Sequence, residues 1–168
     1  MNMRRSRRRW LLACLLAAVP FALPAQPPAM AAAAQRADRI HVDKSERRME
    51  LLRDGRVLRS YRVRLGDAPV GHKRQQGDEK TPEGDYRISG RNPNSRFHLS
   101  LRVSYPDAAD RAQARARGVD PGGDIFIHGG SYAQSLRDWT DGCIAVTDAE
   151  IEEIWSLVPT GIPIGIDP

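Results

Sequence analysis

The sequence predicts a mainly β domain with one or two short helices packed on it. Three observations carry that reading. Apolar and polar residues alternate with a period of two in several short stretches. Asp54-Gly55 sits between two such stretches, a strong hairpin signal because the turn needs positive φ at both positions. No alternation of strands with long helical patterns occurs, which argues against a doubly wound parallel sheet.

The elements follow in chain order. Arg39 to Asp43 reads as a first strand with Ile40 and Val42 on one face. Met49 to Arg53 and Val57 to Leu65 form the hairpin arms, and Val57, Tyr61, Val63 and Leu65 share the inward face of the second. Gly66 to Gly84 is a long polar segment with four glycines and two prolines, the kind of loop that has a function or is mobile. Strands resume at Asp85 to Ser89 and His98 to Ser104. Asp107 caps an alanine-rich helix ending near Gly118, whose thin apolar side places it on the surface. Pro121-Gly122-Gly123 turns into a strand from Ile125 to His128, and a further apolar run covers Ile144 to Val146. Thr147 and Glu150 make a capping box. Behind it Ile151, Ile154, Trp155 and Val158 fall on one helical face, and Ile162, Ile164 and Ile166 alternate as a last strand.

The formal charge of +5 over 168 residues resides in the leader. Arg4, Arg5, Arg7, Arg8 and Arg9 account for the whole excess, and the remaining basic residues balance the 21 acidic ones. A neutral domain has no field with which to bind a polyanion, so nucleic acid is excluded as a partner. The arginine-rich start, the apolar run Trp10 to Leu23 and the small residues at Ala29, Ala31 and Ala33 read as a secretory signal. The run is short for a membrane span and contains Pro20, so residues 1–34 are expected to be cleaved, leaving an exported, periplasmic protein without a stable span. Cys14 leaves with the signal, and Cys143 is then the one cysteine of the mature chain. An unpaired thiol in an oxidising compartment either packs in a core or does chemistry.

The chemistry is concentrated between Ile125 and Val146, IFIHGGSYAQSLRDWTDGCIAV. A strand delivers His128 into Gly129-Gly130, and fifteen residues later Gly142 presents Cys143. An imidazole beside a thiol lowers its pKa, takes its proton and returns it to a leaving amine. Gly142 leaves room for a substrate carbonyl, and the backbone N–H groups of Gly142 and Cys143 are candidates for an oxyanion hole. Taken singly, the histidine and the cysteine read as structural; together in such a chain they point to a nucleophile. His41, His72, His98 and His128 show no close metal-ligand spacing, and no metal site is expected.

These residues resemble the L,D-transpeptidase catalytic domain, the YkuD-type family. His128-Gly129 and Thr140-Asp141-Gly142-Cys143 fill the places of the family's histidine and its Ser/Thr-x-Gly-Cys signature. The segment from Gly77 to Tyr86 resembles the family's Thr-Pro-x-Gly segment before a strand. Ser104-Tyr105-Pro106, Gly122 to Gly129 and Asp138-Trp139-Thr140 resemble its murein-transpeptidase branch, which carries a Trp-Thr-x-Gly-Cys-Ile-Ala-Val signature. The resemblance covers about residues 38–167 and implies a mixed β-sheet fold, sandwich-like or barrel-like. It implies that Cys143 forms a thioester with the diaminopimelate of a peptidoglycan stem tetrapeptide and passes the acyl group to an amine. His128 would be the general base and acid, oriented by the Gly129 carbonyl, with no cofactor. Thr140, Trp139, Asp141 and Arg137 are candidates for the substrate's neighbourhood. Thr140 hydrogen-bonds near the thiol or caps a turn. Trp139 is wall or core before it is a substrate platform. Arg137, like Arg91 and Arg96, grips a stem-peptide carboxylate or is an ordinary solvated arginine. Asp141 points away from the thiol or binds an ammonium. Asp141 and Ala145 depart from the histidine and arginine that many members carry there. A hydrolase on the same scaffold, an L,D-carboxypeptidase or an amidase acting on a murein-bound lipoprotein, is the alternative within enzymes. A non-catalytic wall-binding module is the alternative outside them.

Overall fold

A computed structural model describes residues 36–130 and 137–168. The signal and leader expected over residues 1–34 lie outside the described residues. Eight strands form one mixed sheet: β1 (Arg39–Asp43), β2 (Arg48–Arg53), β3 (Arg56–Arg62), β4 (Gly84–Ser95), β5 (His98–Val103), β6 (Phe126–His128), β7 (Ile144–Ala145) and β8 (Pro163–Asp167). Their order is β3-β2-β1-β8-β4-β5-β6-β7. Two pairings are parallel, β1 with β8 and β6 with β7. The sheet curls until its ends meet. Arg64, just beyond β3, exchanges both backbone hydrogen bonds with Ala145 of β7, at 2.9 and 2.8 Å. The barrel-like form is thus a consequence of the β3 strand running on past Arg62, and this contact brings the chain's hairpin end to the Cys143 segment.

The core lies inside the curl. Ile40, Val42, Met49, Leu51, Val63, Leu65, Ile88, Leu101, Val103 and the isoleucines of β6, β7 and β8 are fully buried. In β1 and β2 they alternate with polar or partly exposed residues on the outer face, as a half-wet sheet requires. Asp54 and Gly55 carry φ of 50° and 73°, so the hairpin turn takes the form expected of Asp-Gly. One face assignment changes. A register shift between Leu51 and Leu52 puts Val57 outside, 52% exposed, while Leu58 packs partly against the core. A bulge reverses which residues face inward, and period two alone cannot see it.

Helix α1 (Ala108–Arg117) has the predicted Asp107 cap and ends at Gly118 in the left-handed conformation. It docks through a carboxylate rather than through alanine alone. Asp110 is buried and accepts from the Tyr86 hydroxyl at 3.1 Å, and His72 Nε2 lies 3.1 Å from its other oxygen. Helix α2 (Asp148–Leu157) starts in the predicted Thr147/Glu150 capping box and packs Ile151 and Ile154 against β5 and β6. Trp155 stays half-buried, with the Arg91 guanidinium 3.9 Å above its ring. Among the described residues no helix is long and apolar enough to cross a membrane.

The segment from Gly66 to Gly84 is ordered around one carboxylate. Asp78 accepts from the backbone N–H groups of Arg74, Gln75 and Lys80 and from Lys73 Nζ. A second buried lysine, Lys44, ties the segment to the end of β1 through Gly71 O, Thr81 O and the Glu83 carboxylate. Such a polar segment has little apolar area to bury, so these charge-assisted bonds take the place of a core.

Candidate active site

His128 ends β6, a strand held between β5 and β7. Its ring is nearly buried. Nδ1 lies 2.5 Å from Gly129 O, and a carbonyl can only accept, so Nδ1 carries the proton and Nε2 keeps its lone pair. Phe97 stacks on one face of the imidazole with ring centroids 4.5 Å apart, and Trp139 meets it edge-on at 5.8 Å. Gly129 has no room for a side chain. A Cβ there would lie 2.6 Å from Asp148 Oδ1 and 2.9 Å from Ile151 Cγ2. Close packing of the α2 N-terminus on this glycine therefore fixes the carbonyl that holds the imidazole, and Asp148 also accepts from Gly130 N.

Cys143 follows a tight turn built by Thr140. The buried Thr140 hydroxyl donates to Cys143 O at 2.7 Å and accepts from Gly142 N at 3.2 Å. This threonine thus closes the turn. The Gly142 N–H is engaged within it, so the oxyanion expectation narrows to the N–H of Cys143. Asp138 anchors the same turn from below: Arg47 donates to its carboxylate from Nε and Nη2, and Leu65 N donates at 2.9 Å.

The thiol lies between two clefts. One, of about 310 Å³, also holds His128, Phe97, Ser100, Arg96 and Asn92. The other, of about 460 Å³, is walled by Lys73, Glu79, Asp124, Asp141 and the Gly122-Gly123 turn. Cys143 and His128 therefore open onto common space. Asp141 is exposed and lines the thiol's second cleft, so it is not turned away from the site. Arg137 is exposed at the edge of the described residues. Arg91, a further arginine, is occupied in capping α2 through Val158 O and Trp155 O. Phe97 and Lys73 carry no motif in the sequence, and the fold alone brings them here.

The electrostatics differ from the simple expectation of an imidazole-lowered thiol. Burial pushes the Cys143 thiol up to about 11; the Phe126 N–H opposes this, Asp141 adds to it, and the Lys73 charge opposes it. Burial also lowers the His128 pKa, against the pull of the Gly129 carbonyl. Both shifts favour the neutral thiol and the neutral imidazole. Iodoacetamide labelling of Cys143 is expected to keep accelerating with pH past about 8.5, the ordinary thiol value. A plateau near neutral pH would reveal a preformed thiolate instead.

Comparison with known proteins agrees with the geometry. The family model for the YkuD L,D-transpeptidase catalytic domain matches residues 37–166. The Escherichia coli K12 protein named "Putative L,D-transpeptidase YafK" is 30% identical over 132 residues, covering 75% of this chain and 49% of that protein. The chain thus spans about half the length of this relative. The helical cell shape determining protein Pgp2 of Campylobacter jejuni superposes with a TM-score of 0.58 at 24% identity, over 76% of this chain and 46% of that one. Bd1075 of Bdellovibrio bacteriovorus gives 0.57 at 25% identity, over 80% and 49%. With the fold, the curled sheet and the family match in agreement, the chain belongs to the YkuD L,D-transpeptidase catalytic domain family.

Proposed function

We propose that this protein is a cysteine acyltransferase of peptidoglycan stem peptides, with Cys143 as nucleophile and His128 as base and acid. The observation that carries the reading is a buried imidazole, fixed through Nδ1 to Gly129 O, that opens onto the same cleft as Cys143. The Sγ proton passes to Nε2 as the Sγ–carbon bond forms on the diaminopimelate carbonyl. The amide C–N bond then breaks, and the imidazolium gives that proton to the departing amine of D-alanine. A thioester remains. An acceptor amine attacks it, loses a proton to His128, and leaves the thiol restored. Water in the acceptor's place yields a carboxylate, the hydrolytic outcome. The N–H of Cys143 is the donor we assign to the oxyanion, and Gly142 provides the side-chain-free approach to it.

Thr140 shapes the nucleophile's turn, and Trp139 with Phe97 keeps the imidazole dry. Asp141, which lines the second cleft, is assigned to the substrate's neighbourhood, and Arg137 is assigned there on its sequence position alone. The arginine-rich leader supports export to the periplasm, where stem peptides are found. The test is incubation of the leaderless protein with lipoprotein-bearing sacculi, followed by muropeptide analysis. New 3-3 cross-links indicate transpeptidation, loss of terminal D-alanine alone indicates carboxypeptidation, and released lipoprotein indicates amidase action. An unchanged muropeptide profile with folded protein would contradict the acyl-transfer reading and favour a wall-binding module.

A further inference from the structure

The cleft on the second side of Cys143 contains a charge that the proposed reaction does not use. Lys73 is 3% exposed, yet it lines this cleft together with the thiol. Its Nζ donates to Asp78 Oδ1 at 2.8 Å and to Gln75 O at 3.1 Å. Asp78 itself is not part of the cleft wall. It lies behind, with its carboxylate shared among Lys73 and three backbone N–H groups. The lysine thus stands in the cleft wall, with its ammonium held by the loop beside it. Among the described residues lining this cleft, Lys73 is the one base, facing Glu79, Asp124 and Asp141. On the opposite side of the thiol stands neutral His128.

The position of Lys73 is fixed to the nucleophile by backbone contact. The Gly66–Gly84 segment crosses the Cys143 turn at two glycines. A Cβ on Gly66 would lie 1.9 Å from Glu79 O and 3.0 Å from Gly142 N. A Cβ on Gly142 would lie 2.5 Å from Lys80 O. Side-chain-free crossings of this kind leave the loop no freedom to slide. Lys73, bound to Asp78 in that loop, is thereby tethered beside the cleft it shares with the thiol.

We propose that Lys73 is an electrostatic positioning residue for Cys143: its ammonium stabilises the thiolate as the proton leaves, and Asp141 opposes it across the same cleft. The inference rests on Cys143 being the nucleophile. A buried thiol loses the stabilisation that water gives to its anion, and a fixed cation restores part of it. The carboxylates facing the cleft act the other way, so on top of burial the balance between Lys73 and Asp141 adjusts how readily the thiol ionises. The direction of each charge's effect on the thiol agrees with this arrangement.

The experiment is the iodoacetamide labelling rate of Cys143, read from pH 7 to 10 on the leaderless protein, with a thermal melt of each variant. Lys73→Met is expected to slow labelling roughly three- to tenfold below the midpoint, equivalent to about half a unit to one unit of pKa. Lys73→Arg restores the rate, and Asp141→Asn accelerates it. Because Lys73→Met leaves the Asp78 charge without its cation, Lys73→Met/Asp78→Asn removes both charges together while the amide oxygen still accepts from the loop's backbone N–H groups. That double variant is expected to label as slowly as the single one. Folded variants without Lys73 that label at the parent rate would overturn the inference, as would Lys73→Arg failing to rescue a folded protein. A parent thiol inert at every pH would instead overturn the nucleophile assignment, so the two failures are distinguishable.

Discussion

Replacing Cys143 with alanine should reduce release of D-alanine and acyl transfer on the order of 10⁴- to 10⁶-fold, leaving the melting transition close to that of the parent. Among the described residues Cys143 and Asp124 line both clefts, and the thiol is the stronger nucleophile of the two. Adding His128→Ala to Cys143→Ala should cost nothing further, because nucleophile and base act as a unit. Product analysis on stem tetrapeptides checks both statements. Retained turnover in the alanine variant would move the chemistry elsewhere.

The second large effect is expected at Gly142. Its φ of 115° is a conformation that other residues rarely adopt, and a Cβ there would stand 2.5 Å from the Lys80 carbonyl oxygen. Gly142→Ala combines backbone strain with a collision against backbone, which cannot rotate away as a flexible side chain would. The destabilisation should be on the order of 2–6 kcal/mol. Relief requires the Lys80 strand of the loop or the Cys143 turn to move, so activity is expected to fall even where the fold survives. Chemical denaturation read alongside the rate on tetrapeptide separates the two. A variant as stable and as active as the parent would mean that the crossing of loop and turn is looser than the packing indicates.

Much of this molecule was legible because its local signals are strong. The Asp54-Gly55 turn, the Asp107 and Thr147 caps and the alternation in β1 and β8 each follow from short-range sterics and hydrogen bonding, and the structure realises all of them. The Val57 face was misread because a bulge is set by pairing with β2, not by the strand's own sequence. The Gly90–Ser95 half of β4 was missed since its residues, GRNPNS, read as a loop until β5 pairs with them. The order of the Gly66–Gly84 segment was equally hidden, because Asp78 resembles any other loop carboxylate until its donors surround it.

The site divides in the same way. His128, Cys143 and their glycines occupy motif positions, so spacing identified them. Phe97 and Lys73 reach the site from a β-hairpin tip and a polar loop, and only the curl of the sheet brings them beside it. The state of the thiol was not legible at all. A cysteine beside an imidazole suggests easy ionisation, whereas burial of both groups favours their neutral forms and gives weight to the Lys73 and Asp141 charges of the second cleft.

The central claim is that catalysis passes through a thioester on Cys143. Rapid acid quenching of the leaderless protein with a stem tetrapeptide, followed by intact and peptide-level mass spectrometry, tests it most directly. The account predicts an adduct with the mass of the tetrapeptide less D-alanine, located on Cys143, that disappears when an acceptor amine or hydroxylamine is added. Release of D-alanine by the folded protein with no adduct at any quench time, or with the adduct on another residue, would contradict it.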